Sequence, residues 1–407
     1  RKRQGERSFD FPLPGQMMSA GRWGAGRLVY LRLCIRQTSR IEAFQNSLPR
    51  MTRSAPNPPA TQGPHPGFAI VRVGEDLLLS AAQRLVSQGL KDRVSAAKRL
   101  IASAPEHGID LSFIWASVAA SDVGKRTASV RQTCLAVPGS GRTAMIFISE
   151  PIPSLDGAGA PTSVLDAARE ERIALLNAVA AHFTRGPGDQ VRVLQALPEP
   201  NDGWAESALR GAGFTCVGDL EYRRRSLSPA EHRPAAKKIE WPVGVRIEAL
   251  SSLPQIERDP LLLRVLDESY VDTRDCPELC GMRTTSDILA SHYATGVFDP
   301  TLWFIVFVRD ANGVEIPSGC MLLSRVLDQR ALELVYVGLA KSARGRGIGA
   351  KLMELALQKA AEPRIDAITC AVDCRNEPAL KMYERFGFGA LGRRRAFVRS
   401  VSGVSAS

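Results

Sequence analysis

The residues best suited to chemistry lie in the run Val337-Gly-Leu-Ala-Lys-Ser-Ala-Arg344-Gly345-Arg346-Gly347-Ile348-Gly349. An apolar, strand-like segment ends in a glycine-rich turn, and the turn opens directly into an amphipathic stretch. Glycines at alternate positions let a backbone approach a ligand closely and turn its N–H groups inward. A helix starting at the end of the turn adds unpaired N–H groups and the positive end of its dipole. The product is an anion cradle suited to a pyrophosphate, with Arg344 and Arg346 as local positive charge. Two familiar phosphate sites do not fit. A Walker loop needs Gly-Lys followed by Ser or Thr, which is absent. A Rossmann site needs an acidic residue ending the next strand, whereas Asp366 precedes that strand.

A second set of residues follows in order. The run Ile368–Val372 reads as a strand and leads to Asn376, Ala379, Tyr383 and Gly387-Phe388. Arg-x-x-Gly-x-Gly after one strand, then Asn-x2-Ala-x3-Tyr-x3-Gly-Phe after the next, resembles the GNAT superfamily of N-acetyltransferases. The resemblance covers residues 242–400 and is close over the 57 residues from Leu332 to Phe388. It implies acetyl-CoA as cosubstrate and no metal. It implies that the backbone amides of Arg344, Gly345, Arg346, Gly347, Ile348 and Gly349 bind the CoA pyrophosphate. Val337 and Leu339 are then expected to hydrogen-bond the pantetheine arm and the acetyl carbonyl, the latter contact supporting the oxyanion. Asn376 is expected to touch the cofactor where two strands splay apart. Tyr383 is expected beside the CoA sulfur as the acid that protonates the departing thiolate. An ordinary phenol, with a pKa of about 10, is protonated at neutral pH. The bland reading of Tyr383 is a helix tyrosine packed on the sheet.

The acceptor amine must lose a proton before it attacks. Glu333 is the candidate base, a carboxylate inside the apolar strand Leu332–Val337, where burial raises a carboxyl pKa. Some superfamily members carry a catalytic glutamate at this position, eleven residues before the loop motif; others deprotonate the amine through water. The competing reading is a glutamate satisfied by an arginine. Simple alternation puts Glu333 on one face with Val335 and Val337. Ser269–Gly281 carries Asp272, Asp275 and Glu278; the resemblance implies that this region borders the acceptor cleft, where three carboxylates would favour a cationic amine, and the alternative is a solvated loop. The acceptor is open among small amines, polyamines, aminoglycosides, peptide N-termini and protein lysines. No Cys or Ser stands in the motif as an acyl carrier, so the expected reaction is direct attack in a ternary complex. The alternative is a non-catalytic acyl-CoA-binding sensor.

Other elements must hold these residues in place, and the two halves of the chain rhyme. Strands are expected at Leu302–Val308, Gly319–Arg325, Leu332–Leu339, Ile368–Val372 and Gly389–Val398. Helices are expected at Gly349–Ala361 and Pro378–Phe386, with another beginning at Pro260. The N-terminal half repeats the theme with strands Arg131–Val137, Thr143–Ile148 and Gln190–Leu197, helices Ser163–Phe183 and Trp204–Gly211, and its own Gly213-Phe214. Its loop Glu150–Gly159 lacks the Arg-x-x-Gly-x-Gly pattern. Aligning the Gly-Phe pairs sets Leu209 opposite Tyr383 and Asp202 opposite Asn376. The expected fold class is α/β (α+β): two GNAT-like modules, each a mixed, mostly antiparallel sheet flanked by helices, with splayed strands at the CoA site of the second. The first module is expected to have lost catalysis, and the two to pack on each other.

Composition sets the frame. The 407 residues are 44% hydrophobic and 23% charged, a globular balance, and too many for one ordinary domain. The net charge of +11 suggests nucleic acid, but residues 1–50 hold ten Lys/Arg against three Asp/Glu, and residues 242–407 hold 21 against 20. Neither nucleic acid nor a membrane is an expected partner. Residues 1–50 show no sustained periodicity, and Met51 is expected to be the true start, a basic presequence being the alternative. The expected division is a basic segment 1–50, a linker 51–67, a degenerate module 68–225, a linker 226–241, a catalytic domain 242–400 and a tail 401–407. The eight cysteines, including Cys276/Cys280 and Cys370/Cys374, read as buried free thiols of a cytoplasmic protein, not zinc ligands.

Overall fold

The structure, a computed structural model, describes residues 67–185, 191–228, 231, 238–362 and 364–401. Residues 1–50, nearly all of the 51–67 linker, much of the 226–241 linker and the tail after Val401 lie outside the described residues.

Each half begins as an antiparallel meander. In the first half these strands are β1 (Phe68–Arg72), β2 (Ile114–Ala119), β3 (Gln132–Gly139) and β4 (Thr143–Ile148), with helices α1 (Glu75–Leu85) and α2 (Arg93–Ser103) between β1 and β2. Helix α3 (Thr162–Arg185) then crosses to β5 (Val193–Ala196), which runs parallel to β4. Helix α4 (Gly203–Gly211) leads to β6 (Thr215–Ser226). The second half repeats this order. It comprises β7 (Val245–Ala249), α5 (Gln255–Tyr270), α6 (Thr285–Ala294), β8 (Trp303–Arg309), β9 (Glu315–Val326), β10 (Ala331–Leu339), α7 (Ile348–Ala360), β11 (Ala367–Asp373), α8 (Glu377–Arg385) and β12 (Gly389–Ser400). A parallel pair needs a crossover, and α3 and α7 supply it.

The last strand of each half is exchanged. Strand β12 pairs with β5 of the first half, and β6 pairs with β11 of the second, while β6 and β12 also pair with each other. The result is one continuous twelve-stranded sheet in the order β1-β2-β3-β4-β5-β12-β6-β11-β10-β9-β8-β7. It is nearly palindromic about the β12–β6 pair.

Apolar faces of the helices close the cores. Leu175, Leu176 and Val179 of α3 pack with Trp115, Cys134 and Leu194. Leu262, Val265 and Leu266 of α5, with Leu352, Met353 and Ala356 of α7, pack around Trp303, Ile305 and Met321. Burying a side chain such as Leu352 is worth about 2 kcal/mol, which anchors the N-terminus of α7 beside its loop. Helix α5 starts five residues before Pro260, so the expectation of a start at that proline is corrected. The side chain of Arg258 bonds the carbonyls of Leu253 and Ser251 and ties down the opening turn. Strands β1, β2 and β6 and helices α1, α2 and α6 had no counterpart in the sequence reading.

Candidate active site

Strands β10 and β11 pair over three rungs only, Ala331–Ala367, Leu332–Ile368 and Glu333–Thr369. Beyond Glu333 they part, opening a gap towards the glycine loop. The ladder geometry shows what faces that gap. Ala340 N donates to Ser318 O at 2.8 Å, so Gly338 and Tyr336 also turn their backbone groups to β9. Val337 and Leu339 therefore turn theirs into the gap. The Leu339 carbonyl already accepts from Arg344 Nε at 3.0 Å.

A bulge corrects the expected facing of the strand. Leu334 stands opposite Leu323 and Tyr336 opposite Leu322, so Val335 is an extra residue. The alternation reverses across it. Glu333 shares a face with Tyr336 and Gly338, while Val337 lies on the other. Tyr336 is held on that face by a 2.7 Å hydrogen bond with Ser269 Oγ. A Cβ on Gly338 would fall 2.4 Å from Tyr336 Oη, so only glycine admits the ring there.

The loop before α7 has the form of an anion cradle. Gly345 and Gly347 adopt φ of +75° and +76°, the left-handed region, and Gly347 caps α7 without any side-chain acceptor for the first N–H groups. A Cβ on either glycine would meet nothing within 4 Å, so the surface in front of them is open. This fits a pyrophosphate held by backbone amides. The side chain of Arg344 has a different task from the one expected. Its guanidinium donates to the carbonyls of Leu339, Ser269, Val271 and Asp272, stapling the loop to the C-terminal end of α5. Arg346 reaches the Val243 carbonyl at 3.2 Å and is exposed. Ile348 is fully buried and fixes the first turn of α7. Asn376 caps α8 through its side chain, which accepts from Ala379 N at 3.4 Å. The two motifs meet in space, since a Cβ on Gly349 would lie 3.4 Å from Met382 Sδ of α8.

Tyr383 projects from α8 onto β11 and is 4% exposed. It shares a core cluster with Cys370, the first residue of β11 past the last rung with Glu333. Burial, with charge at Cys370 and Asp275 adding to it, holds the phenol well above its usual range, so it carries its proton at neutral pH. Glu333 is half-buried and close enough to act on Cys370 by charge. Both expected chemical groups thus lie near Cys370, just past the last rung that joins the two strands.

A cavity of about 230 Å³ opens beside Glu333. Arg283, Ser291, His292 and Thr295 line it from the second half, and Ser140, Thr143, Met145 and Gln195 from the first. The hairpin tip between β3 and β4 reaches α6 closely: Ser291 Oγ donates to Ser140 O at 3.1 Å, and a Cβ on Gly141 would overlap Ser291. None of Arg283, Ser291, His292 or Tyr336 stood out in the sequence; only Tyr336, an aromatic inside an apolar strand, left a trace. The expected acidic wall does not line this cavity. Asp272 pairs with Lys341 at 2.7 Å, Glu278 with Arg375, and Asp275 accepts from Asp373 N at 2.8 Å.

The equivalent positions of the first half differ. Its parallel rungs are Thr143–Val193, Ala144–Leu194 and Met145–Gln195, so Met145 occupies the rung of Glu333. Leu209 is fully buried where Tyr383 stands in the second half. The loop in place of the cradle closes on its own carboxylate. Asp156 accepts from Ile152 N at 2.6 Å, from Gln132 at 3.2 Å and from Arg172 at 2.7 Å. An internal anion thus takes up the donors.

Among the described residues no helix is long and apolar enough to cross a membrane. The model of the acetyltransferase (GNAT) family matches residues 271–388, the segment that holds the loop, Glu333 and Tyr383. A mycothiol acetyltransferase of Corynebacterium aurimucosum is 45% identical over 225 residues, covering 50% of this chain and 70% of its own. Another of that name from Mycobacteroides abscessus is 30% identical over 55% of this chain and 74% of its own. A GCN5-related N-acetyltransferase from Sphaerobacter thermophilus aligns in structure with a TM-score of 0.48 at 17% identity, over 83% of this chain and 97% of that one. With a splayed parallel pair, a glycine cradle at a helix start and this extent of likeness, the chain belongs to the GNAT family of acetyltransferases.

Proposed function

We propose that the chain transfers an acetyl group to a primary amine by direct attack in a ternary complex, at the gap between β10 and β11. Acetyl-CoA, when bound, supplies a thioester whose carbonyl carbon is the electrophile. The backbone amides of Gly345 to Gly349 hold its pyrophosphate, and the gap-facing groups of Val337 and Leu339 hold its arm and acetyl oxygen. Asn376 lies at the start of α8, beside the arm. Glu333 takes the proton from the ammonium of the acceptor, which enters from the cavity between the halves. Tyr383 gives its phenolic proton to the sulfur as the C–S bond breaks and the C–N bond forms.

The observation that carries this reading is that β10 and β11 part just past Glu333, with Tyr383 packed against the next stretch of β11 and the glycine cradle ahead of the gap. A protonated, buried phenol and a half-buried carboxylate at one apex are the acid and base the reaction needs. The first half contributes a wall of the acceptor cavity and no catalytic group. A thiol-release assay with acetyl-CoA and a panel of amines, a mycothiol-type acceptor among them because two relatives bear that name, tests it. Amine-dependent thiol release is expected. Binding of acetyl-CoA without release to any amine would favour an acyl-CoA sensor.

A further inference from the structure

The cavity beside Glu333 has a charge pattern of its own. Two fixed charges line it, the Glu333 carboxylate and the Arg283 guanidinium. Arg283 is half-buried just before α6, and loss of solvation lowers its pKa. Its Nη1 donates to Ser291 Oγ at 2.9 Å and to the Gly141 carbonyl at 3.4 Å. Among the described residues its Nε and Nη2 make no hydrogen bond, and no carboxylate lies within ion-pair distance of it. Asp287 acts on it through space, but that carboxylate is bridged by Arg142 and Arg192. Asp272, Asp275 and Glu278 are engaged elsewhere. A guanidinium drawn out of water without a counter-ion is costly. Its two unused nitrogens share one edge of the plane, the fork that meets both oxygens of a carboxylate.

A second orphan lies in the wall of the same space. His292 Nε2 is buried without a hydrogen-bond partner, and the ring rests on Tyr336 at 5.4 Å between centroids. Burial, with Arg283 beside it, pushes its pKa down to about 4, so the ring is neutral at pH 7. It adds one directed hydrogen bond and no charge.

The geometry points to an acceptor that carries a carboxylate as well as its amine, with the carboxylate received by Arg283 and His292 and the amine turned to Glu333. One fixed cation and one fixed anion on the same cavity match a zwitterion better than the cationic amine expected from the sequence. This inference rests on the reading of the cavity as the acceptor site.

The test is calorimetric titration of the CoA-saturated full chain with matched pairs: L-alanine and its amide, β-alanine and its amide, γ-aminobutyrate and its amide. In at least one pair the acid is expected to bind about ten- to a hundredfold more tightly than the amide, as for a charge-assisted hydrogen-bond pair. Arg283→Met should erase that preference. Arg283→Lys, which keeps the charge but not the fork, should retain only part of it, and thermal melting shows whether each variant folds. Acids that bind no better than amides in every pair, undetectable binding included, overturn the inference. So does a folded Arg283→Met that keeps the preference. Acid-selective binding with no acetyl transfer sinks the proposed function and leaves the anion-binding end in place. Transfer to amides as fast as to acids does the reverse.

Discussion

Glu333 stands opposite Thr369 on the last rung that joins β10 to β11, one residue before both strands part. Its carboxylate is therefore fixed at the apex of the gap by sheet geometry, on the side where the cavity opens. The equivalent rung of the first half carries Met145 opposite Gln195, an apolar side chain at the same point of the same architecture. The two halves differ at this rung as well as in the loop that closes on Asp156.

Glu333→Gln should lower kcat/KM for an amine by about a hundredfold near pH 7. The deficit should shrink towards pH of about 10, where an ordinary alkylamine sheds its own proton. A pH–rate profile checks this. A loss of equal size at every pH would mean that Glu333 only holds the structure.

Gly345→Val and Gly347→Val each force a left-handed residue with a branched side chain, at a cost of about 1–2 kcal/mol. The new side chains meet no neighbour, so the fold should survive with a modest fall in Tm. The affinity for acetyl-CoA should drop about tenfold or more, because the amides no longer point together. Unchanged affinity by calorimetry would remove the cradle from the account.

The exchanged strands predict that the halves do not stand alone. Without β6, strand β11 loses its partner along seven rungs from Ala367 to Asp373, and β12 loses β5 and β6 together. A chain of residues 242–407 expressed alone should aggregate or show little ordered structure by circular dichroism, and co-expression with residues 67–241 should rescue it. A soluble, folded and fully active 242–407 would contradict the role given to the exchange.

His292 makes stability depend on pH. Its folded pKa of about 4 lies below the unfolded value of about 6.5, so the unfolded chain binds the extra proton first. The contribution is complete above about pH 6.5 and is lost as pH falls towards 4. Chemical denaturation between those limits should show this slope, and His292→Phe should flatten it while keeping a ring against Tyr336. An unchanged slope would show that the imidazole is solvated.

Much of the second half was legible in the sequence, for local reasons. The loop declared itself because only glycine tolerates the φ of Gly345 and Gly347, and α7 because Leu352, Leu355, Ala356 and Leu357 recur at helical spacing. Long-range pairing left no such mark. The bulge at Val335 turns Glu333 towards Tyr336 although the residues alternate smoothly, because it is set by the register against β9. The staple made by Arg344 and the engagement of Asp272, Asp275 and Glu278 depend on partners tens of residues away. The strand exchange was invisible for the same reason: β12 read as the ordinary last strand of its own module, and β6 was not read as a strand. Arg283 and His292 gain meaning only from a cavity that both halves close.

The central claim is tested most directly by Tyr383→Phe, which removes one oxygen from a fully packed site. The measurement is single-turnover acetyl transfer alongside the acetyl-CoA dissociation constant. A fall in turnover of about a hundredfold or more, with affinity and Tm nearly unchanged, is expected of a lost general acid. Full turnover by the folded variant across neutral pH would contradict it.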